Sequence, residues 1–526
     1  MPVEDQARRA GSNVSLWEAT TTTEALNPLP ENSTCDICIV GAGIAGLSIA
    51  YTLTKRGRSV VVLDDGMIGR GMTARTTAHI VNALDDRYYH LEKYFREDGA
   101  QLAAQSHSAA IDRVEQIVND EKIDCEFERL DGYLFEPPNE SLKNLEREFD
   151  ACRRCGLEVE WVKRAPIEDF DTHRSIRFPR QAQFHPLKYL RGLEKAVIEN
   201  GGRIFTGTKV QDVTGGDKPK VKTGDGHVIT SRSVVVATNS PINDRYVIHT
   251  KQAPYTTYVI GLLVPQGYVT RALFWDTAER AGMEEDFGPV PYHYVRLGKG
   301  ERGAEEVLVV GGEDHKTAQA DDFEARFGRL EEWAKTRWPK ASGTVYRWSG
   351  QVMEPVDSLG YIGRNPADKD NVYVVTGDSG NGMTHGTIAG MLIPELIERG
   401  DHAWAKIYDP SRTTIRTTPD FAKENINVAA QFRDYFTGGD VKSLRDIKAG
   451  GGAVLRRGLK KIAVYNDPTT GPHEMSAICP HLKCVVHWND NEKTWDCPCH
   501  GSRFDAHGHV LNGPSVADLD RTESNE

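Results

Sequence analysis

Near the C-terminus, Cys479-Pro480-His481-Leu482-Lys483-Cys484 is followed by Cys497-Pro498-Cys499-His500-Gly501-Ser502. Each half offers one thiolate and one imidazole, as Cys-x-His and Cys-x-x-His. Two Cys and two His can hold a single tetrahedral zinc. They can equally hold a 2Fe–2S cluster, with the thiolates on one iron and the imidazoles on the other. The second arrangement is a one-electron centre, and its neutral imidazoles give it a higher potential than an all-Cys cluster. Two further cysteines, Cys484 and Cys499, lie within the same runs and exceed what a zinc site needs. A one-electron centre also requires something to feed it.

The N-terminal half supplies a candidate. Asp36-Ile37-Cys38-Ile39-Val40 is apolar and β-branched; Gly41-Ala42-Gly43-Ile44-Ala45-Gly46 follows, and Leu47–Arg56 reads as helix. A second apolar run, Ser59–Leu63, ends in Asp64-Asp65. Strand, glycine turn, helix, strand and acid make a dinucleotide-binding unit. Gly41 permits the tight turn, Gly43 lets the backbone approach a pyrophosphate, and Gly46 allows close helix–strand packing. The helix N-terminus then faces the phosphates, and Asp64 can accept hydrogen bonds from the adenosine ribose. Much later, the strand Asn371–Thr376 runs into Gly377, Asp378, Gly382, Met383 and Thr384, and Thr387–Arg399 reads as helix. A glycine-rich turn so late suits a second contact with one long cofactor.

The two Cys/His runs resemble Rieske domains of the cytochrome bc type. That resemblance implies Cys479 and Cys497 on one iron, His481 and His500 on the other, and a disulfide from Cys484 to Cys499. It also implies that Ser502 hydrogen-bonds a cluster sulfur and that Gly513-Pro514 belongs to a third covering loop. Phe504 stands where many high-potential members have Tyr, which implies a somewhat lower potential. The late glycine turn resembles the C-terminal FAD motif of the D-amino-acid-oxidase-like flavoproteins (glycine oxidase and sarcosine oxidase type), and Ser233–Thr238 looks like their intermediate strand. FAD rather than NAD is implied, and the chemistry agrees: nicotinamide gives up hydride and cannot readily feed a one-electron centre. Taken whole, the chain resembles FAD-dependent oxidoreductases that carry a C-terminal Rieske domain. The segments Thr73–His79, Asn82–Tyr89, Leu130–Tyr133 and Lys423–Ala429 fit that pattern, so Thr76, Thr77 and His79 join the expected cofactor contacts. Thr73–His79 is also similar to the segment of dimethylglycine-dehydrogenase-like enzymes whose His bonds covalently to flavin; here a hydrogen-bonding role near the isoalloxazine is the expectation.

The elements that must position these residues divide the chain. Residues 1–35 read as an N-terminal arm, with Ser15-Leu16-Trp17 as a docking point. Residues 36–400 read as an α/β FAD-binding fold (Rossmann-like, glutathione-reductase type) interleaved with an α+β substrate domain, because the FAD motifs stand at both ends. Residues 401–439 form a connector with a helix near Phe421–Phe436, and residues 440–520 a small all-β Rieske domain. Cys152 and Cys155 form a CxxC without a second pair, which reads as packing, and Cys38 is expected to face the core. The formal net charge of −12 argues against nucleic acid as a partner. No apolar run approaches the roughly 20 residues of a membrane span. The first 35 residues lack the apolar core of a secretory signal. A cytoplasmic enzyme is expected, in which a Cys484–Cys499 disulfide would be unusual yet worth about 3 kcal/mol in chain entropy.

Catalytic residues are harder to find, since the flavin performs the redox chemistry and the protein supplies orientation and electrostatics. His385, Arg347 and Tyr258 are the candidates, with Tyr255 and Trp348 behind them; Arg347 could clamp a carboxylate bidentately. The expected activity is a dehydrogenase oxidising a small amine, amino acid or related donor. Electrons would leave singly through the cluster to an external acceptor protein or quinone. An oxygen-using oxidase with a structural or regulatory cluster, and a non-enzymatic redox sensor or electron-transfer protein, remain alternatives. A Rieske oxygenase is disfavoured, because too little chain follows His500 for a mononuclear iron domain.

Overall fold

The computed structural model describes residues 10–137, 142–243, 247–277, 292–302, 305–413 and 418–522. Its centre is a sheet of six strands among the described residues, ordered Tyr361–Arg364, Val372–Thr376, Ser233–Val236, Ile37–Val40, Val60–Leu63, Arg203–Phe205. All pairings are parallel except that of Tyr361–Arg364. The runs Ile37–Val40, Val60–Leu63 and Ser233–Val236 are buried throughout, as expected for parallel strands covered on both faces. Both glycine motifs end beside each other at the C-terminal edge of this sheet. Their helices, Ile44–Lys55 and Gly382–Arg399, pack together through Gly386 against Ile44 and Gly390 against Ser48, where any Cβ would clash.

A second, largely antiparallel sheet roofs this edge. It runs Thr344–Pro355, Gln252–Val264, Glu306–Lys316, His293–Lys299, Leu273–Asp276, Glu128–Phe135, Ser175–Gln183, His79–Ile80. One face looks onto the FAD-type layer; the other is covered by the helix Phe323–Arg337, whose Phe327, Leu330 and Trp333 join a separate core with Tyr258, Ile260 and Leu262.

The N-terminal arm does dock. Ser15 caps the short helix Leu16–Ala19 through a capping box with Glu18. Trp17 is buried, stacks edge-on against His185, and donates from Nε1 to the Thr76 carbonyl at 2.6 Å. Cys38, Cys152 and Cys155 are buried thiols, so the CxxC packs rather than reacts.

The connector helix spans Thr418–Gln431 and continues as a 3-10 turn, Phe432–Tyr435. It ends one residue short of the apolar run expected to carry it, and Phe436 and Ile426 stay exposed. Val428 and Tyr435 do pack on the last module, and Glu424 pairs with Lys316 of the roof at 2.8 Å. That module holds two small antiparallel sheets, Gly452–Arg457/Lys460–Asp467/Gly471–Ser476 and His487–Asn489/Thr494–Asp496/Arg503–Asp505/Val510–Asn512. No helix of the described residues is long and apolar enough to cross a membrane.

Candidate functional site

A long cavity lies between the two large sheets, and both glycine motifs open into it. Gly41 has φ +106°, and a Cβ there would run into the Ala237 carbonyl; a Cβ on Gly46 would strike the Gly41 carbonyl. Gly43 caps the helix Ile44–Lys55 without a side chain of its own, and the Ile44 amide donates to the Thr73 hydroxyl at 3.1 Å at the cavity wall. Asp64 accepts from the Ala42 amide at 2.7 Å and the Gly66 amide at 2.8 Å, which fixes its carboxylate at the cavity rim. Across the cavity, Gly377 and Gly380 both sit at φ +70°, turning the strand Val372–Thr376 into the helix that begins at Gly382. Met383 lines the cavity. Thr384 does not: its hydroxyl back-bonds to the Asn381 carbonyl at 3.0 Å. The buried Oδ1 of Asp378 has no hydrogen-bond partner, and burial pushes this carboxyl up to about 6. Two amide-rich helix starts, glycine cradles and an acceptor-ready carboxyl fit a dinucleotide such as FAD.

Thr76, Thr77 and His79 line the same cavity. His79 is held by Thr77 Oγ1 on Nδ1 (3.0 Å) and the Val295 carbonyl on Nε2 (3.3 Å). Burial, helped by Arg296, depresses its pKa to about 3, so the ring is neutral. Nε2 therefore carries the proton given to Val295, and Nδ1 accepts from Thr77. His385 also lines the cavity. Its Nδ1 donates to the Asp378 carbonyl at 2.9 Å, and burial lowers its pKa to about 4. It braces the second glycine turn and has no spare proton to exchange.

The other two catalytic candidates fall outside the cavity, for one reason. Successive residues of a strand point to opposite faces. On Gln252–Val264, Thr257 lines the cavity, so Tyr258 points into the outer core, where its hydroxyl meets His315 Nε2 at 2.9 Å. Arg347 pairs in register with Ile260 of that same outer face. It is half-exposed and salt-bridged to Glu324 at 2.8 Å, so it clamps nothing in the cavity. Trp348 is buried and donates to the Arg75 carbonyl at 2.9 Å. Tyr255 lies beside Glu424 and Lys316.

The residues that do face the far half of the cavity are Asp85, Asp314 and Glu354, with Trp275, Tyr292 and Tyr294. The Tyr292 hydroxyl donates to Asp85 at 2.7 Å, and the Tyr294 hydroxyl meets Thr257 at 2.6 Å. Period-2 alternation about Thr257 was the signal that could have marked the inward face.

In the C-terminal module the two Cys/His loops meet. The Cys479 amide donates to the Cys484 carbonyl (2.9 Å) and the Gly501 amide to the Cys497 carbonyl (3.1 Å), curling each loop around its cysteine. Cys484 and Cys499 form a disulfide with 6.5 Å between their Cα atoms. The sulfurs of Cys484, Cys497 and Cys499 lie within 4.8 Å of one another, but two of them are spent in the disulfide and are not thiolates. The donors left are the hydrogen-bonded pair Cys479 and Cys497 and the rings of His481 and His500, whose centroids are 5.2 Å apart at 90°. His500 Nδ1 is buried without a hydrogen-bond partner. Two sulfurs on one side and two imidazoles on the other fit a 2Fe–2S cluster of Rieske type. The Ser502 hydroxyl reaches Cys479 and accepts from the Ser515 amide of the third loop at 3.0 Å. Phe504 is buried and brings no hydroxyl.

The histidine side of this module faces inward. The ring of His249, from the segment leading into the roof sheet, lies 5.0 Å from His481 and 5.6 Å from His500. Gln351 lines the cavity and donates from Nε2 to the carbonyl of Gly501, next to His500, at 3.0 Å. Glu492 is buried at the join, accepting from the Ser349 hydroxyl (2.6 Å) and the Asn13 amide (3.1 Å), with Arg75 Nη1 3.6 Å away. The arm thus closes over both modules, and Arg503 completes the seam by donating to the Ala10 carbonyl.

Residues 36–396 match the family described as DAO, FAD dependent oxidoreductase, and residues 439–523 match the Rieske [2Fe-2S] domain. YhfW of Bacillus subtilis (strain 168), named for a Rieske 2Fe-2S cluster, is 30% identical over 510 residues, 96% of each chain. Gamma-glutamylputrescine oxidoreductase of Escherichia coli (strain K12) is 28% identical over 387 residues, 71% of this chain and 85% of that protein. Glycine oxidase from Geobacillus kaustophilus shares the fold, with TM-score 0.60 and 18% identity over 73% of this chain and all of that one. The chain therefore belongs to the DAO family of FAD dependent oxidoreductases and carries a C-terminal Rieske [2Fe-2S] domain.

Proposed function

We propose that this enzyme is a dehydrogenase that oxidises a small amine or amino acid at FAD and sends the electrons singly through its own Rieske cluster. One observation carries the reading: the cavity and the cluster loops share a wall. Gln351 faces the cavity with its chain and binds the Gly501 carbonyl with its amide. When bound, FAD takes an electron pair as hydride from the carbon bearing the amine and can return it one electron at a time. The donor loses that hydride and an N–H proton and becomes an imine, which water hydrolyses. A cluster held by Cys479, Cys497, His481 and His500 would let that pair leave singly, toward an external one-electron acceptor protein or quinone.

The protein's part is orientation. Asp64 and the two helix starts hold the dinucleotide, Thr77 and Val295 hold the His79 ring, and His385 fixes the turn at Asp378. Gly41, Gly43, Gly46, Gly377 and Gly382 give the backbone close approach. The rings of His481 and His500 turn toward His249, so a cluster they held would present its histidine edge to that ring. The buried free thiols suit a reducing cytoplasm.

Anaerobic mixing of FAD- and iron-loaded protein with an amine or amino-acid panel tests the reading. Flavin bleaching followed by the Rieske electron paramagnetic resonance signal is expected. Bleaching with stoichiometric hydrogen peroxide in air, while the cluster stays oxidised, would overturn it in favour of an oxidase.

A further inference from the structure

We infer that the far half of the cavity binds a carboxylate-free amine bearing two or more positive charges, a diamine or polyamine, rather than an amino acid. The inference rests on the amine-dehydrogenase reading above and narrows its substrate.

Three carboxyl groups from distant parts of the chain converge there. Asp85 follows the Thr73–His79 segment, Asp314 lies on the strand Glu306–Lys316, and Glu354 on the strand Thr344–Pro355. Asp86 stands directly behind. The Ser379 hydroxyl lies 2.5 Å from Asp86 and 2.7 Å from Glu354. One hydroxyl has one proton and serves one carboxylate at a time; Asp86 also has the Ser358 hydroxyl, so Glu354 is the acid left calling for a proton or a cation. The buried Oδ1 of Asp314 has no hydrogen-bond partner, and the neutral Thr257 hydroxyl is what supports this carboxyl.

Nothing cationic among the described lining residues answers them. Lys209 and Arg75 are the Lys and Arg that touch the cavity. Lys209 pairs with Asp518 at 3.2 Å, and Arg75 is turned to the Gly11 carbonyl and the seam with Glu492. His79 and His385 are neutral. Their hydrogen-bond support is neutral hydroxyls, Tyr292 on Asp85, Thr257 on Asp314 and Ser379 on Glu354, with Arg87 and Arg326 acting from outside the lining, and burial outweighs all of these. Burial raises Asp86 to about 6, Asp314 to about 7, and Glu354 well above the usual carboxyl range.

The rest of the wall suits the same guest. Trp275, Tyr292 and Tyr294 present ring surface to the space, with Tyr292 and Tyr294 5.5 Å apart, and ring faces attract cations. An ammonium group has three donors and no acceptor, the complement of an acid-lined pocket. An α-carboxylate would meet like charge there and no guanidinium fork, since Arg347 lies on the opposite face of the sheet. Asp314 and Glu354 stand on roof strands separated by Gln252–Val264, and Asp85 comes from the segment after His79–Ile80, so the guest meets carboxyls at more than one point.

The test uses full-length protein loaded with FAD and cluster, titrated with putrescine, spermidine, glycine and L-proline. Binding is read from perturbation of the oxidised flavin spectrum, and reduction from anaerobic bleaching. Putrescine or spermidine should bind, and glycine and L-proline should not. Asp314→Asn and Glu354→Gln, each checked for unchanged flavin content, should weaken diamine binding by about 10- to 100-fold, the loss expected for one charge-assisted hydrogen bond. Glycine or L-proline binding in preference to the diamines overturns the inference yet leaves the dehydrogenase reading intact. Diamine binding without bleaching by any donor keeps the inference and sinks the dehydrogenase reading. Diamine binding untouched by both substitutions, or no binding by either class, overturns the inference.

Discussion

The cluster loops and the cavity lie a few side chains apart and gather their polar groups in opposite ways. The cluster ligands come from two short runs, Cys479–Cys484 and Cys497–Ser502, closed by their own backbone hydrogen bonds and one disulfide. The cavity acids come from positions 85, 314 and 354 and meet only because the fold brings a loop and two roof strands together. One site is a local device that a small β module can carry between proteins. The other exists only when the whole two-sheet fold is assembled. The proposed electron route needs both, and so the seam where Gln351, Glu492 and His249 join them.

The sharpest way to break this comparison is to remove the local device. Cys497→Ser takes away a cluster thiolate and should abolish the Rieske resonance and its visible absorbance completely. Flavin content and diamine binding should be retained. Loss of FAD together with the cluster would mean that the two sites are one folding unit.

The seam comes next. Glu492 is buried against Ser349, Asn13 and Arg75. Glu492→Ala leaves the buried Arg75 guanidinium without its carboxylate there. Breaking such a pair costs about 3–5 kcal/mol. Denaturant unfolding should show that loss as a separate, earlier transition of the C-terminal module. A single transition at unchanged midpoint would mean that the modules do not depend on this contact.

A pH scan separates the regions again, because the roof sheet holds a buried charged pair. His293 donates to Asp276 at 2.9 Å and lies 3.7 Å from Glu313, stacked on Trp333; Arg337 and Arg329 stand behind these two acids. Burial opposes its charge, but Asp276 and Glu313 outweigh it and raise its pKa to about 9. A raised histidine stabilises fully below the unfolded value near 6.5 and loses that contribution as pH climbs through about 9. Stability should therefore fall by of order 2–3 kcal/mol between pH 6.5 and 9, and His293→Asn should flatten that slope. The cluster module's own signal should not follow it.

The same contrast explains what could be read from the chain. The glycine cradle at Gly41–Gly46 is a contiguous motif whose spacing fixes its geometry, while the cluster ligands, the disulfide partners and the turn at Gly377–Gly382 were legible through the resemblance their contiguous runs carry. The buried Trp17 and the parallel runs at Ile37–Val40 and Val60–Leu63 were similarly legible from local pattern. Arg347 and Tyr258 were misread because residue type says nothing about which face of a strand a side chain takes. A shift of one position separates Thr257 in the cavity from Tyr258 in the outer core. The acids at 85, 314 and 354 were invisible as a group, since no local signal links segments hundreds of residues apart. Nor does any motif announce that His481 and His500 would turn toward His249.

The smallest and most specific effect should come from Gln351. Its amide donates to the Gly501 carbonyl beside His500, and the residue also lines the cavity. Gln351→Leu keeps the side-chain volume and removes the donor, leaving a carbonyl unsatisfied at a buried seam. About 1–2 kcal/mol of stability should be lost, close to the limit of detection in a chain of this size. The electronic consequence should be larger than the thermodynamic one, because this is a direct hydrogen-bonded step between the two sites. Stopped-flow bleaching of the flavin by donor should keep its rate, while freeze-quenched samples should show the cluster signal rising later than in the parent enzyme. An unchanged lag would mean that electrons cross elsewhere, and the His249 ring beside His481 and His500 is the next crossing to test. His249→Phe, which keeps a ring between the modules but removes its nitrogens, would then be the variant that shifts the resonance of the cluster.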